Sequence, residues 1–137
     1  MPPLFIDTAY IIALINQRDK YYDLAQTLAK QYAYSTFVTT DAVLLEVGNA
    51  LAQHFRKEAV ALIEQFLNSP EVELVYLTPQ RFASAFALYK KYTDKEWGLV
   101  DCISFVVMRE KGIQQALTSD QHFIQAGFAA LMKGETK

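Results

Sequence analysis

Pro3-Leu4-Phe5-Ile6-Asp7-Thr8 sets three large apolar residues in a row and stops them on a carboxylate. A short apolar run without alternation suits a strand covered on both faces. From Thr8 the pattern changes: Ile11, Ile12, Leu14 and Ile15 recur at helical spacing. A buried strand feeding straight into a helix is the opening of a crossover unit, and such units build parallel sheets.

The alternation continues along the chain. Asp19 is a candidate cap for a helix through Tyr22, Ala25, Leu28, Ala29 and Tyr32. Residues 34–39 are aromatic and β-branched, a second strand. Thr40 or Asp41 caps a helix carrying Val43, Leu44, Val47, Ala50 and Leu51. Residues 56–68 form another, through Ala59, Val60, Ile63, Phe66 and Leu67, and Ser69-Pro70 stops it. Residues 72–77 read as a third strand, and Thr78-Pro79 opens a helix carrying Phe82, Ala85, Phe86, Tyr89 and Tyr92. Trp97-Gly98 lies in a loop. Residues 100–111 are helical and end at Gly112. A strand over 115–118, a helical turn through Ile124 and a last short strand over 128–132 complete the chain. The predicted fold is α/β, with three layers and a central, mainly parallel sheet of four to five strands. Residues 1–132 are expected to form one domain and 133–137 a frayed tail.

Composition narrows the function. With 137 residues and 52% hydrophobic content, the chain can build a packed core. Thirteen basic against fifteen acidic residues give a net charge of −2, unlike a uniformly basic nucleic-acid coat. The single cysteine, Cys102, excludes an intrachain disulfide and Cys-rich zinc sites. The longest apolar run is too short to span a membrane, which takes about 20 residues. A cytoplasmic protein with no membrane association is expected. Five scattered glycines supply neither GxGxxG nor GxxxxGK[ST], so no dinucleotide or Walker-type phosphate loop is present.

The acids carry the chemistry. Ligands of open parallel sheets bind at the carboxyl ends of the strands, and Asp7 and Asp120 both follow strands there. Asp101 opens an apolar helix, and Glu46 stands among Leu44, Leu45 and Val47. Carboxylates in such surroundings are expensive to bury unless paired or bound to a metal. Two unit charges about 5 Å apart repel by roughly 3 kcal/mol at an effective dielectric of 20. Oxygen-rich clusters without thiolates favour Mg²⁺ or Mn²⁺ over Zn²⁺. Such ions promote phosphodiester hydrolysis.

Four segments, in order, carry a resemblance. They are Phe5-Ile6-Asp7-Thr8 with the helix after it; residues 39–51 around Glu46; Leu99-Val100-Asp101-Cys102-Ile103-Ser104-Phe105; and Ala116-Leu117-Thr118-Ser119-Asp120-Gln121-His122-Phe123, followed by Ala126-Gly127-Phe128. The chain resembles PIN domains, in particular the VapC-type ribonuclease toxins of prokaryotic toxin–antitoxin pairs. The resemblance implies that Asp7, Glu46, Asp101 and Asp120 form a catalytic metal pocket, supported by Thr8 and Ser119. It further implies an RNA substrate, products with a 5′-phosphate and a 3′-hydroxyl, a homodimer and a cognate antitoxin. General RNA processing, or a non-catalytic RNA-binding module, are the alternatives.

Other readings of the same residues stay open. Asp7 and Asp101 could cap helices, and Asp120 could be a turn residue. His122 reads as a capping or surface residue rather than a phosphate contact. Cys102 reads as an inert buried thiol. Arg81, Lys90, Lys91 and Lys95 are candidate RNA contacts, with Trp97 as a stacking ring. Against that stands a plain solvated helix face with Trp97 in the core. Phe82, Phe86, Tyr89 and Tyr92 read as core or dimer contacts. Phosphatase chemistry of the haloacid-dehalogenase kind needs an Asp where Ala9 stands. A response-regulator receiver needs an acid closing the third strand, which ends in Val75-Tyr76-Leu77-Thr78.

Overall fold

The structure, a computed structural model, describes residues 2–133. Its strands are β1 (Leu4–Ile6), β2 (Phe37–Thr40), β3 (Val72–Val75), β4 (Gln115–Leu117) and β5 (Ala129–Ala130). The helices are α1 (Thr8–Ile15), α2 (Tyr22–Gln31), α3 (Asp41–Ala50), α4 (Arg56–Asn68), α5 (Pro79–Lys91), α6 (Leu99–Lys111) and α7 (Gln121–Gln125). The sheet runs β3-β2-β1-β4-β5 and every pairing is parallel. Helices flank this sheet, as the alternation of patterns predicts.

The order places the site. From β1 the chain steps outward to β2 and β3, then returns to the other side of β1 for β4 and β5. The sequence of connections therefore reverses between β1 and β4, and a crevice at such a switch point is where open parallel sheets bind ligands. All three residues of β1 are buried, which accounts for its unbroken apolar run.

Local signals explain the boundaries. The Thr40 hydroxyl accepts the Val43 N–H and caps α3. Thr78 does the same for α5 through the Arg81 N–H, with Pro79 in the first turn. Gly112 ends α6 at φ 68°, a left-handed position that suits glycine. The expected tail at 133–137 lies outside the described residues except for Lys133, whose N–H donates to the Ala130 carbonyl.

Some helix faces differ from expectation. Val60 and Leu67 of α4 are about half exposed, and Ala59 is its only fully buried residue. Phe82, Phe86 and Tyr89 are not core: each keeps more than 40% of its surface exposed, stacked along the outer face of α5. The helix needs only a narrow seam against α6, and the small Ala85 lets it approach closely.

An aromatic cluster underlies the switch point. Phe105 of α6 meets Phe123 of α7 edge-on at 5.0 Å, and Phe123 lies 6.3 Å from Phe5 of β1. All three rings are fully buried. Three separate elements are thereby locked together; Asp7 follows β1, Asp101 stands in the first turn of α6 and Asp120 at the N-cap of α7.

Candidate active site

Asp7 follows β1 directly and is 6% exposed. It occupies the N-cap position of α1, yet its side chain makes no capping bond. The capping reading therefore fails for this residue. Its Oδ2 instead accepts the Thr118 hydroxyl at 2.7 Å. Burial drives its pKa up to about 7; bonds from Thr118 and the Thr8 N–H oppose the rise, and the charges of Asp101 and Asp120 add to it.

Asp101 stands in the first turn of α6. Its Oδ2 accepts the N–H of the N-cap residue Gly98 at 3.0 Å and faces His122 Nδ1 at 3.0 Å. Burial raises its pKa, the Gly98 and His122 bonds lower it, and Asp120 raises it again. Asp120 caps α7: its Oδ1 accepts the His122 N–H at 2.9 Å and lies 3.3 Å from the His122 ring. Asp120 thus caps α7. Asp101 is not the N-cap of α6, which is Gly98, but stands at its third position and bonds back to the cap's N–H. Each uses one oxygen of its carboxylate. Asp101 Oδ1 and Asp120 Oδ2 make no hydrogen bond among the described residues.

Glu46 requires a correction. Its apolar neighbours suggest a costly burial, but the residue is exposed. Sequence neighbours on a helix point about 100° apart, so Leu44 and Val47 go inward while Leu45 and Glu46 face out. Glu46 still joins this edge of the sheet: its Oε1 accepts the Thr8 hydroxyl at 2.6 Å. Thr8, the residue after Asp7, thus ties α3 to the start of α1.

Of the two hydroxyls singled out in the sequence, only Thr8 makes a side-chain bond; Ser119 makes none among the described residues. The bonded partner on β4's side is its neighbour Thr118, fully buried, which also accepts the Asp120 N–H at 3.0 Å. Sequence reading missed Thr118 because a threonine ending a strand looks like ordinary β-branched filler.

The tight group formed here is Asp101, Asp120 and His122, whose candidate ligand atoms all lie within 4.8 Å of one another. Asp7 stands outside that group but feels both acidic charges. A carboxylate pushed up by burial, with two neighbouring acidic charges adding to the rise, is a site short of positive charge. Carboxylate oxygens suit a hard divalent cation. The residues present therefore fit such an ion. The N-termini of α1 and α6 also point their partial positive charge toward this edge.

The basic candidates separate into two groups. Arg81 is tied to Glu110 at 3.1 Å and to the Tyr76 carbonyl, and Lys95 pairs with Asp94. Lys90 and Lys91 are exposed at the end of α5, their amines over the rings of Phe86 and Tyr92. Trp97 is not a stacking platform. It is 6% exposed, packs at 5.0 Å against both Tyr92 and Phe105, and donates to Gln125 Oε1. Cys102 is fully buried, and burial pushes its thiol up to about 11, as suits an inert side chain.

The sequence model of the PIN domain matches residues 4–129. A parallel sheet with acids gathered at its switch point is what that match accompanies here, and the chain belongs to the PIN-domain family. Among its relatives is the 23S rRNA-specific endonuclease VapC20 of Mycobacterium tuberculosis, from strains CDC 1551 / Oshkosh and ATCC 25618 / H37Rv. Each is 30% identical over 125 residues, spanning 91% of this chain and 95% of the relative. The crystal structure of Mycobacterium tuberculosis VapC20, a sarcin-ricin loop cleaving toxin, superposes with a TM-score of 0.82 at 30% identity. That match covers 92% of this chain and 96% of the other.

Proposed function

We propose that this protein is a metal-dependent endoribonuclease, the toxin of a toxin–antitoxin pair, that hydrolyses RNA phosphodiester bonds with Mg²⁺ or Mn²⁺. The observation that carries this reading is the gathering of Asp7, Asp101 and Asp120 at one edge of the sheet, with Asp7 pushed up to about 7. Its relatives' action on ribosomal RNA makes ribosomal RNA the first substrate to test. A cognate antitoxin, a homodimeric state and a cytoplasmic location belong to the same proposal. No helix among the described residues is long and apolar enough to cross a membrane.

In this reading Asp7, Glu46, Asp101 and Asp120 are the catalytic and metal-holding acids. A divalent ion held by these acids would supply charge stabilisation at the phosphoryl and leaving oxygens and a more acidic water. The chain's own part is positioning. Thr118 fixes Asp7 through Oδ2. Gly98 and His122 fix Asp101 through Oδ2, which leaves Oδ1 for the cation. Glu46, exposed and held by Thr8, accepts a proton from water at little desolvation cost. Thr8 is the supporting hydroxyl with a visible bond, and Ser119 is left for phosphate or water. Lys90 and Lys91 hold the RNA backbone.

The test is cleavage of ribosomal RNA by the purified protein in Mg²⁺, Mn²⁺ or EDTA, with both product ends mapped. Metal-dependent products with a 5′-phosphate and a 3′-hydroxyl are expected. Cleavage that persists in EDTA, or leaves a cyclic phosphate, overturns the reading. For the toxin role, expression should arrest growth. Co-expression of a small neighbouring reading frame encoding a DNA-binding antitoxin should relieve the arrest.

A further inference from the structure

His122 is the side chain, among the described residues, that faces the carboxylates of two of the four acids. His122 lies half-buried between Asp101 and Asp120, with Nδ1 3.0 Å from Asp101 Oδ2 and 3.3 Å from Asp120 Oδ1. Ionised carboxylates only accept hydrogen bonds, so the nitrogen facing both must carry the hydrogen. One N–H is thus shared between two groups that would otherwise repel each other. The partners complete the picture. Asp101 Oδ2 also takes the Gly98 N–H, and Asp120 Oδ1 also takes the His122 N–H. Each carboxylate has one oxygen bonded by protein donors and the other without a partner among the described residues.

We propose that His122 is the positioning residue of this cluster. Its Nδ1–H sets the spacing of Asp101 and Asp120 and turns Asp101 Oδ1 and Asp120 Oδ2 toward the cation. The inference rests on the metal-dependent nuclease reading and adds a residue that the acid quartet omits. The ring acts through the acids and is not itself a ligand. Donors that orient ligating carboxylates typically matter 10–100-fold in metal affinity or activity. His122 has no competing task in the fold: Phe123, beside it, supplies the core contact of α7.

Three variants test this. In His122→Asn the amide N–H can replace Nδ1–H. In His122→Gln the amide reaches the Nε2 position instead, and in His122→Ala neither remains. Each retains the backbone N–H that binds Asp120. Mn²⁺ affinity is measured by calorimetry, and kcat and KM on ribosomal RNA are measured in Mg²⁺, Mn²⁺ and Co²⁺. For Ala and Gln, about a 10–100-fold loss in Mn²⁺ affinity and in kcat is expected, with KM for RNA unchanged. For Asn, both should recover to within a few-fold of the parent protein, with the same order of preference among the three metals. Rescue by Gln but not Asn would assign the work to Nε2 and overturn the proposal. A changed metal order in the Asn variant would make the ring a ligand, and unchanged behaviour in all three would remove its role. If the parent protein cleaves no RNA in any metal, the nuclease reading fails, while Mn²⁺ calorimetry still decides on His122.

Discussion

The Thr118 hydroxyl donates to Asp7 Oδ2 at 2.7 Å and accepts the Asp120 N–H at 3.0 Å, so one buried side chain serves two acids at once. Thr118→Val keeps the shape and removes both bonds. Leaving a buried polar group unpaired costs about 1–3 kcal/mol. The valine variant should therefore melt several degrees lower and bind Mn²⁺ more weakly, whereas Thr118→Ser should stay close to the parent. Thermal unfolding and Mn²⁺ titration of the three proteins check this.

Asp7→Asn is expected to abolish RNA cleavage without unfolding the protein. The amide can still accept from Thr118, and it no longer places a charge among Asp101 and Asp120. In EDTA at pH 8 its melting temperature should exceed that of the parent protein. A lower melting temperature would show that the aspartate's charge is not a burden to the fold.

The raised pKa of Asp7 fixes the sign of a pH effect. Between 3.8 and about 7 the folded protein holds this proton more firmly than the unfolded chain does. The contribution of Asp7 to the stability of the metal-free protein is then fullest below about 4 and is lost as pH rises through about 7. Asp101, also raised, pushes the same way. Denaturant melts in EDTA at pH 5 and pH 8 should give the higher midpoint at pH 5. Saturating Mn²⁺ should shrink the difference, because the cation favours the ionised acids.

Glu46 separates activity from stability. It is exposed, so Glu46→Gln should leave the unfolding midpoint within about 0.5 kcal/mol of the parent protein. Loss of a carboxylate acting as proton acceptor should lower kcat by about 10²–10⁴-fold. A variant with full kcat would remove Glu46 from the chemistry.

Lys90 and Lys91 should act on binding alone. Changing both to Ala should raise KM for RNA and flatten the salt dependence, by about 0.7 in logarithmic slope for each lost single-strand phosphate contact. Arg81→Ala and Lys95→Ala should leave that slope unchanged, since both side chains are held by acids. Salt titration of RNA binding reads the difference.

Much of this architecture was legible in the residues. The limits of α4 at Arg56–Asn68 follow from its pattern and the Ser69-Pro70 stop, and Gly112 marks the end of α6. What escaped depends on contacts far apart in sequence. No local signal shows that β4 inserts beside β1, so Thr118 could not be matched to Asp7. Glu46 and Trp97 were read from their neighbours in sequence, yet the direction in which a side chain points is settled by packing. Counting angles along α3 would have turned Glu46 outward. His122 did leave a signal: two positions after a helix-capping aspartate, its ring returns to the cap.

The bond from Thr118 to Asp7 spans 111 positions. A growing polypeptide emerges with Asp7 early and Thr118 late, and the crevice between β1 and β4 is completed only when the two meet. Every shorter nascent form has the first acid but lacks the strand that encloses it. The site around Asp7 is therefore among the last parts of the fold to be assembled, since it waits for β4 to dock beside β1.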